Sequence, residues 1–120
     1  PPMLQAWKLQ TKAAKVGIDW ADAQGALDKV KEETAECREI LSAPEEDPRV
    51  AEELGDLLFS VVNLCRKKGI DPETAMAGAN RKFERRFNAL ERLLAKDGLS
   101  LEEASAEAME ARWQQAKSAR

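Results

Sequence analysis

The 120-residue chain has no histidine and no tyrosine, two cysteines, six glycines and five prolines. Each scarcity excludes something. Without histidine, imidazole-ligated sites for softer metals and the Glu-x-x-His pairs of di-iron bundles are ruled out. Cys37 and Cys65 each fall on an apolar helical face and read as buried reduced thiols; nothing in their spacing supports a disulfide. No apolar run approaches the roughly 20 residues that cross a bilayer, and no signal peptide is visible, so no membrane partner and a cytoplasmic location are expected. Charge of one sign is also missing. The 19 basic and 22 acidic residues leave a net charge of −3, which gives no overall bias toward nucleic acid or lipid. The length suits one domain, 1–120, with a core modest enough to benefit from a partner. The start, Pro-Pro-Met, is expected of a piece of a longer chain.

What is present is helical. Glycine and proline sit at boundaries, β-branched residues are sparse, and no segment reads as a strand. Residues 3–16 place Leu4, Trp7, Thr11 and Ala14 at a helical period, with Gly17 as a C′ stop and Ile18 folding back over the last turn. A second helix over about 20–42 carries the stripe Leu27, Val30, Thr34, Cys37 and Leu41. Asp47-Pro48 and Asp71-Pro72 each read as N-cap and first helical residue. The third helix has the stripe Val50, Leu54, Leu57, Val61 and Leu64, ending at Gly69. The fourth has Met76, Ala79, Phe83, Phe87, Leu90 and Leu94, ending at Gly98. Ser100 with Glu103 is a capping box expected to open the last helix. The fold class is therefore all-α: a bundle of about five helices around a central antiparallel hairpin, with helix four against it. Leu58, Phe59 and Val62 are surplus apolar groups, and a homodimer would cover them.

Two acidic pairs give the sequence its chemistry. Glu33 and Glu36 are three apart on helix two, and Glu53 and Asp56 are three apart on helix three. Each pair sits one position before an apolar pair, so both flank a buried seam and can converge across an antiparallel hairpin. Four converging carboxylates repel one another, and a divalent cation resolves the repulsion. Oxygen-only ligands suit Mg²⁺, with Mn²⁺ as the alternative ion. A solvated glutamate-rich face is the competing reading, since a lone E-x-x-E carries little weight.

Helix four adds the basic run 80–87, Asn-Arg-Lys-Phe-Glu-Arg-Arg-Phe. Lys82 and Arg86 share a face, Arg81 and Arg85 point at least partly away from it, and Asn80 lies at the edge of the apolar stripe. Lys29 precedes Glu33 by one turn on the acidic face. Cations at such positions can hold phosphate oxygens, and Asn80 can pair with a base or sugar. The alternative is a solvated, ion-paired surface. A nucleic-acid patch fits less well, because the cluster is short and its aromatic residues have core spacing.

The segments KVKEETAE (29–36), EELGDLLFSVVNL (52–64) and ANRKFERRF (79–87) together resemble the MazG family of nucleotide pyrophosphohydrolases. KAAKVGIDW (12–20) and ARWQQAK (111–117) extend the likeness to the C-terminal domain of two-domain members. The resemblance covers nearly the whole chain. It implies an all-α homodimer that cleaves nucleoside triphosphates between the α and β phosphates with Mg²⁺. It implies that Glu33, Glu36, Glu53 and Asp56 bind metal, with Glu36 or Glu33 also serving catalysis. It assigns Lys29, Lys82 and Arg86 to phosphates, Asn80 to the nucleoside, and Trp20 and Trp113 to the borders of the nucleotide site. The competing class is an inactive MazG-like helical module that binds nucleotides or a protein.

Overall fold

The structure is a computed structural model and describes residues 1–118. It contains α1 (Pro2–Ala14), α2 (Ala23–Ile40), α3 (Pro48–Lys67), α4 (Pro72–Lys96) and α5 (Ala106–Ser118), and no strand among the described residues. The chain packs as two compact units, Pro1–Ala75 and Met76–Arg120, and each is described by itself.

Polar side chains start α2 and α3 in the first unit. Asp22 caps α2 by accepting the Gly25 N–H at 3.0 Å, and Asp47 caps α3 by accepting the Arg49 N–H at 3.0 Å. Pro48 then occupies the first helical position, where an N–H would go unused. Both α1 and α2 pack on α3. Across the hairpin the Cys37 thiol donates to the Glu53 carbonyl oxygen at 3.4 Å, and from α1 the Gln10 amide donates to the Phe59 carbonyl oxygen at 2.9 Å. Beyond α1, the Gly17 and Ile18 N–H groups bond back to Ala14 and Ala13. Ile18 itself stays exposed and does not cover the last turn. Asp19 is then gripped by Arg66 and Lys67 at the far end of α3.

The buried rows differ from the expected stripes. On α2 the buried residues are Ala26, Glu33 and Cys37, whereas Leu27, Thr34 and Leu41 are exposed. On α3 they are Ser60 and Val62, with Glu53, Leu57 and Leu64 half-buried, while Leu54, Leu58 and Val61 face outward. The seam is rotated by about one residue toward the acidic face. Glu33 therefore lies in the seam and not on its flank. Apolar periodicity cannot report this, because it counts a buried carboxylate as surface.

In the second unit, Leu90, Leu94 and Ala116 form the core, with Leu93, Leu99, Met109 and Trp113 packed around them. Arg112 on α5 forms a two-pronged ion pair with Asp97, at 2.8 and 3.0 Å. Gly98 ends α4 with φ +73, a conformation that costs glycine little. From there the Leu99 N–H reaches the Leu94 carbonyl oxygen at 3.0 Å. The Ser100–Glu103 box forms, but it closes only one turn. α5 opens later, at Ala106, with the Ser105 hydroxyl accepting the Ala108 N–H at 3.1 Å. Leu101 and Ala104 turn inward onto the core between the two serines, which breaks the path of a continuous helix.

Candidate functional site

The site grows from the antiparallel pairing of α2 and α3. Each helix presents acids three apart, and the hairpin register sets the two pairs opposite one another. One carboxylate oxygen each from Glu33, Glu53 and Asp56 lies within 4.8 Å of the other two. Glu33 is only 6% exposed. Its Oε1 accepts from the Lys29 ammonium at 3.2 Å, and Lys29 also reaches Glu32 at 3.3 Å. Glu33, then Glu32, holds the Lys29 pKa above its usual value, so it stays charged.

The remaining oxygens decide what the site can hold. Glu33 Oε2 and Glu53 Oε2 are buried without a hydrogen-bond partner. An unpaired buried acceptor is costly, so a ligand that fills these lone pairs is favoured. The donor set consists of hard oxygens from two helices, as an oxygen-preferring divalent cation requires. At Mg–O distances of roughly 2.1 Å, adjacent oxygens of an octahedron stand about 3.0 Å apart and opposite ones about 4.2 Å, so the three would draw together to ligate one ion. The residues fit such an ion.

Glu36, the fourth expected ligand, stands outside that group of three but beside it. The Glu33 carboxylate, then burial, then Glu53 push its carboxyl up to about 7. Cys37 is a component the sequence reading treated only as core. Burial first, and then the charge of Glu53 and its neighbours, push its thiol upward. It therefore remains an S–H donor and ties α2 to the backbone of the Glu53 segment. A cysteine in register between two acidic pairs was the available signal.

The other candidates lie in two further places. Trp20 borders a cavity of about 640 Å³ in the first unit, which Phe59, Asn63 and Arg66 also line. Its backbone carbonyl oxygen accepts from Lys67 at 2.6 Å. The Asp19–Arg66–Lys67 clamp that holds this corner was missed, since its partners are 47 and 48 residues apart. In the second unit, Lys82 and Arg86 line a cavity of about 650 Å³ together with Arg85, Arg92 and Lys117. This corrects the expectation for Arg85. The groove is wide enough to take the neighbouring row 85, 88, 92 as well as 82, 86, 89, so Arg85 joins the face it was expected to leave. Asn80 is exposed on α4. Trp113 is half-buried against Phe83, with ring centroids 5.6 Å apart.

The chain matches the MazG nucleotide pyrophosphohydrolase domain over residues 22–90. It belongs to the MazG family. The matched stretch runs from the Asp22 cap to Leu90 and so includes Glu33, Glu36, Glu53, Asp56 and the basic run of α4. Two relatives each align over 118 residues, or 98% of this chain. One is the nucleoside triphosphate pyrophosphohydrolase/pyrophosphatase MazG of Thermotoga maritima, 45% identical, with 44% of its length covered. The other is the nucleoside triphosphate pyrophosphohydrolase of Escherichia coli K12, 43% identical, with 45% covered. The chain thus spans less than half the length of either. A third, the uncharacterized protein YabN of Bacillus subtilis, is 42% identical over 65 residues, which is 54% of this chain and 13% of that protein.

Proposed function

We propose that this MazG chain hydrolyses nucleoside triphosphates between the α and β phosphates, releasing a nucleoside monophosphate and pyrophosphate. The observation that carries the reading is the convergence of Glu33, Glu53 and Asp56 with two orphaned buried oxygens. Glu33, Glu36, Glu53 and Asp56 would hold Mg²⁺, or Mn²⁺ in its place. Such an ion, when bound, supplies positive charge to the phosphate oxygens and acidity to a bound water.

The protein's own groups complete the chemistry. Lys29 is pinned by Glu32 and Glu33 at the edge of the acidic cluster and directs its charge to a phosphate oxygen. Glu36, beside the three clustered acids, accepts the proton of the attacking water. Lys82 and Arg86 bind phosphate oxygens and offset charge that builds on the departing pyrophosphate. Asn80 contacts the nucleoside, and Trp20 and Trp113 border the nucleotide. The functional form is a homodimer. Leu54, Leu58 and Val61 are exposed along α3, and covering the roughly half of each that remains in water stabilises an assembly by ~1 kcal/mol apiece.

The test is release of pyrophosphate from mixed triphosphates with Mg²⁺, compared in wild type, Glu36→Gln and Asp56→Asn. Both variants should lose hydrolysis while keeping their helical circular dichroism. Near-wild-type turnover in Asp56→Asn would remove the acidic cluster from the reaction.

A further inference from the structure

The basic groove of the second unit holds more positive charge than a metal-bound triphosphate needs. It encloses about 650 Å³, within the roughly 300–1,000 Å³ of small-molecule sites. Lys82, Arg85, Arg86 and Arg92 line it from α4, and Lys117 lines it from α5. The ion pairs among the described residues are made by Lys29, Arg49, Arg66, Lys67 and Arg112, so none involves these five cations. Glu84 and Glu91, the acids on this stretch of α4, do not line the groove. Like charges around one space repel one another, and a bound anion relieves the repulsion.

The rest of the lining says what kind of anion. Apart from the cations it consists of Asn88, Ala89 and Ala116, with no aromatic side chain. Bases would find no face to stack on, whereas bare phosphate oxygens meet ammonium and guanidinium donors. Length is the second observation. In the reading above, Asn80 meets the nucleoside, and Lys82 and Arg86 meet the three phosphates. From Asn80 the helix rises about 3 Å to Lys82, about 9 Å to Arg86 and about 18 Å to Arg92. Helical side chains all lean toward the N-terminus, so their charged ends keep this order. The groove therefore continues about 9 Å past the residues given to a triphosphate, on the side away from the nucleoside.

We infer that this groove binds the outer part of a polyphosphate chain longer than a triphosphate, and that Arg92 and Lys117 set the preferred chain length. The inference rests on the pyrophosphohydrolase reading above and names its substrate class, mononucleotides whose chain runs past the third phosphate. Hydrolysis at the same bond balances. The water oxygen bonds to the α phosphorus, one water proton passes to Glu36, and the bond from the α phosphorus to the bridging oxygen breaks. That oxygen leaves with the chain, so a nucleoside tetraphosphate gives a nucleoside monophosphate and tripolyphosphate. The extra phosphate adds charge to the leaving group, and Arg92 and Lys117 offset it.

The experiment compares kcat/KM for adenosine tetraphosphate with that for ATP in Mg²⁺, with phosphorus NMR identifying the products. In wild type the tetraphosphate should be favoured by about tenfold or more, the scale of one charged hydrogen bond, and should release tripolyphosphate. Arg92→Gln and Lys117→Gln each remove one charge from an exposed position, and each should bring the ratio toward one. Arg81→Gln removes the same charge outside the groove and should leave the ratio as it is. An independent arm titrates pyrophosphate, tripolyphosphate and tetrapolyphosphate into the cation-free chain by calorimetry. Affinity should rise at each step, and Arg92→Gln should flatten the last one. A single-stranded oligonucleotide of matched charge should bind more weakly than tetrapolyphosphate. Equal rates for the two nucleotides, a ratio unchanged in both groove variants, a ratio lowered equally by Arg81→Gln, or an oligonucleotide that binds as tightly would overturn the proposal. ATP hydrolysis with no preference and a flat titration would sink the groove and keep the pyrophosphohydrolase reading. A length-dependent affinity that Arg92→Gln abolishes, in a chain that hydrolyses neither nucleotide, would keep the groove and sink that reading.

Discussion

Asp56→Asn is the perturbation that bears most directly on the acidic cluster. It keeps the side-chain volume and removes one of three carboxylates whose oxygens lie within 4.8 Å of one another. A cation that binds only the folded chain stabilises it by ~2.7 kcal/mol at a hundred times its Kd. For a chain of this length that corresponds to a rise in Tm of about 10 °C. Wild type should show that rise with Mg²⁺ or Mn²⁺, measured by differential scanning calorimetry at fixed ionic strength, and Asp56→Asn should lose most of it. Without cation the variant should melt no lower than wild type, because a like-charge repulsion has gone. The pH dependence has a definite sign. Glu36 has an ordinary value of 4.5 but titrates at about 7 in the fold, chiefly because of Glu33. Between those values the cation-free fold keeps a proton that the unfolded chain has lost. This contribution is complete below about 4.5 and disappears as pH rises through about 7. Cation binding displaces the same proton, so the cation-induced rise in Tm should grow over that window. An equal cation response in Asp56→Asn, or a wild-type response that does not grow with pH, would refute the reasoning.

Three other outcomes are expected. Lys82→Ala, Arg86→Ala and Arg85→Ala should each lower kcat/KM by about tenfold, the scale of a hydrogen bond to a charged group; Arg81→Ala, outside the groove lining, should change it far less. If Arg81→Ala matched the other three, the cluster would act as a diffuse field without defined geometry. Leu94, fully buried at the centre of the second core, should lose ~2.7–5 kcal/mol on replacement by alanine, and urea denaturation would detect this as a lower midpoint. Sedimentation equilibrium at micromolar concentration should give twice the 13.3 kDa chain mass, and Leu58→Glu on the exposed face of α3 should shift the population to monomer; a wild-type monomer would contradict the assembly.

Much of this molecule was legible from the chain alone, because helix boundaries are decided by local chemistry. Asp47-Pro48 and Asp71-Pro72 start helices where they were expected to, since a short acidic side chain and a fixed φ act within three residues. Gly69 and Gly98 stop helices for an equally local reason. The i, i+3 acids were also visible, because helical geometry alone places them on one face. What only the tertiary structure decided was which face turns inward. Apolar spacing pointed to Thr34 and Leu41, but packing buried Glu33 and exposed both, because the seam accommodates carboxylates that periodicity counts as surface. The Ser100 box likewise satisfied its local bonds, yet the pull of Leu101 and Ala104 onto the second core passed the start of α5 to Ser105. The orientation of the Gln10 amide has the same origin. Its partner, Phe59, is 49 residues away, and only folding brings that carbonyl close enough to fix which way the amide turns.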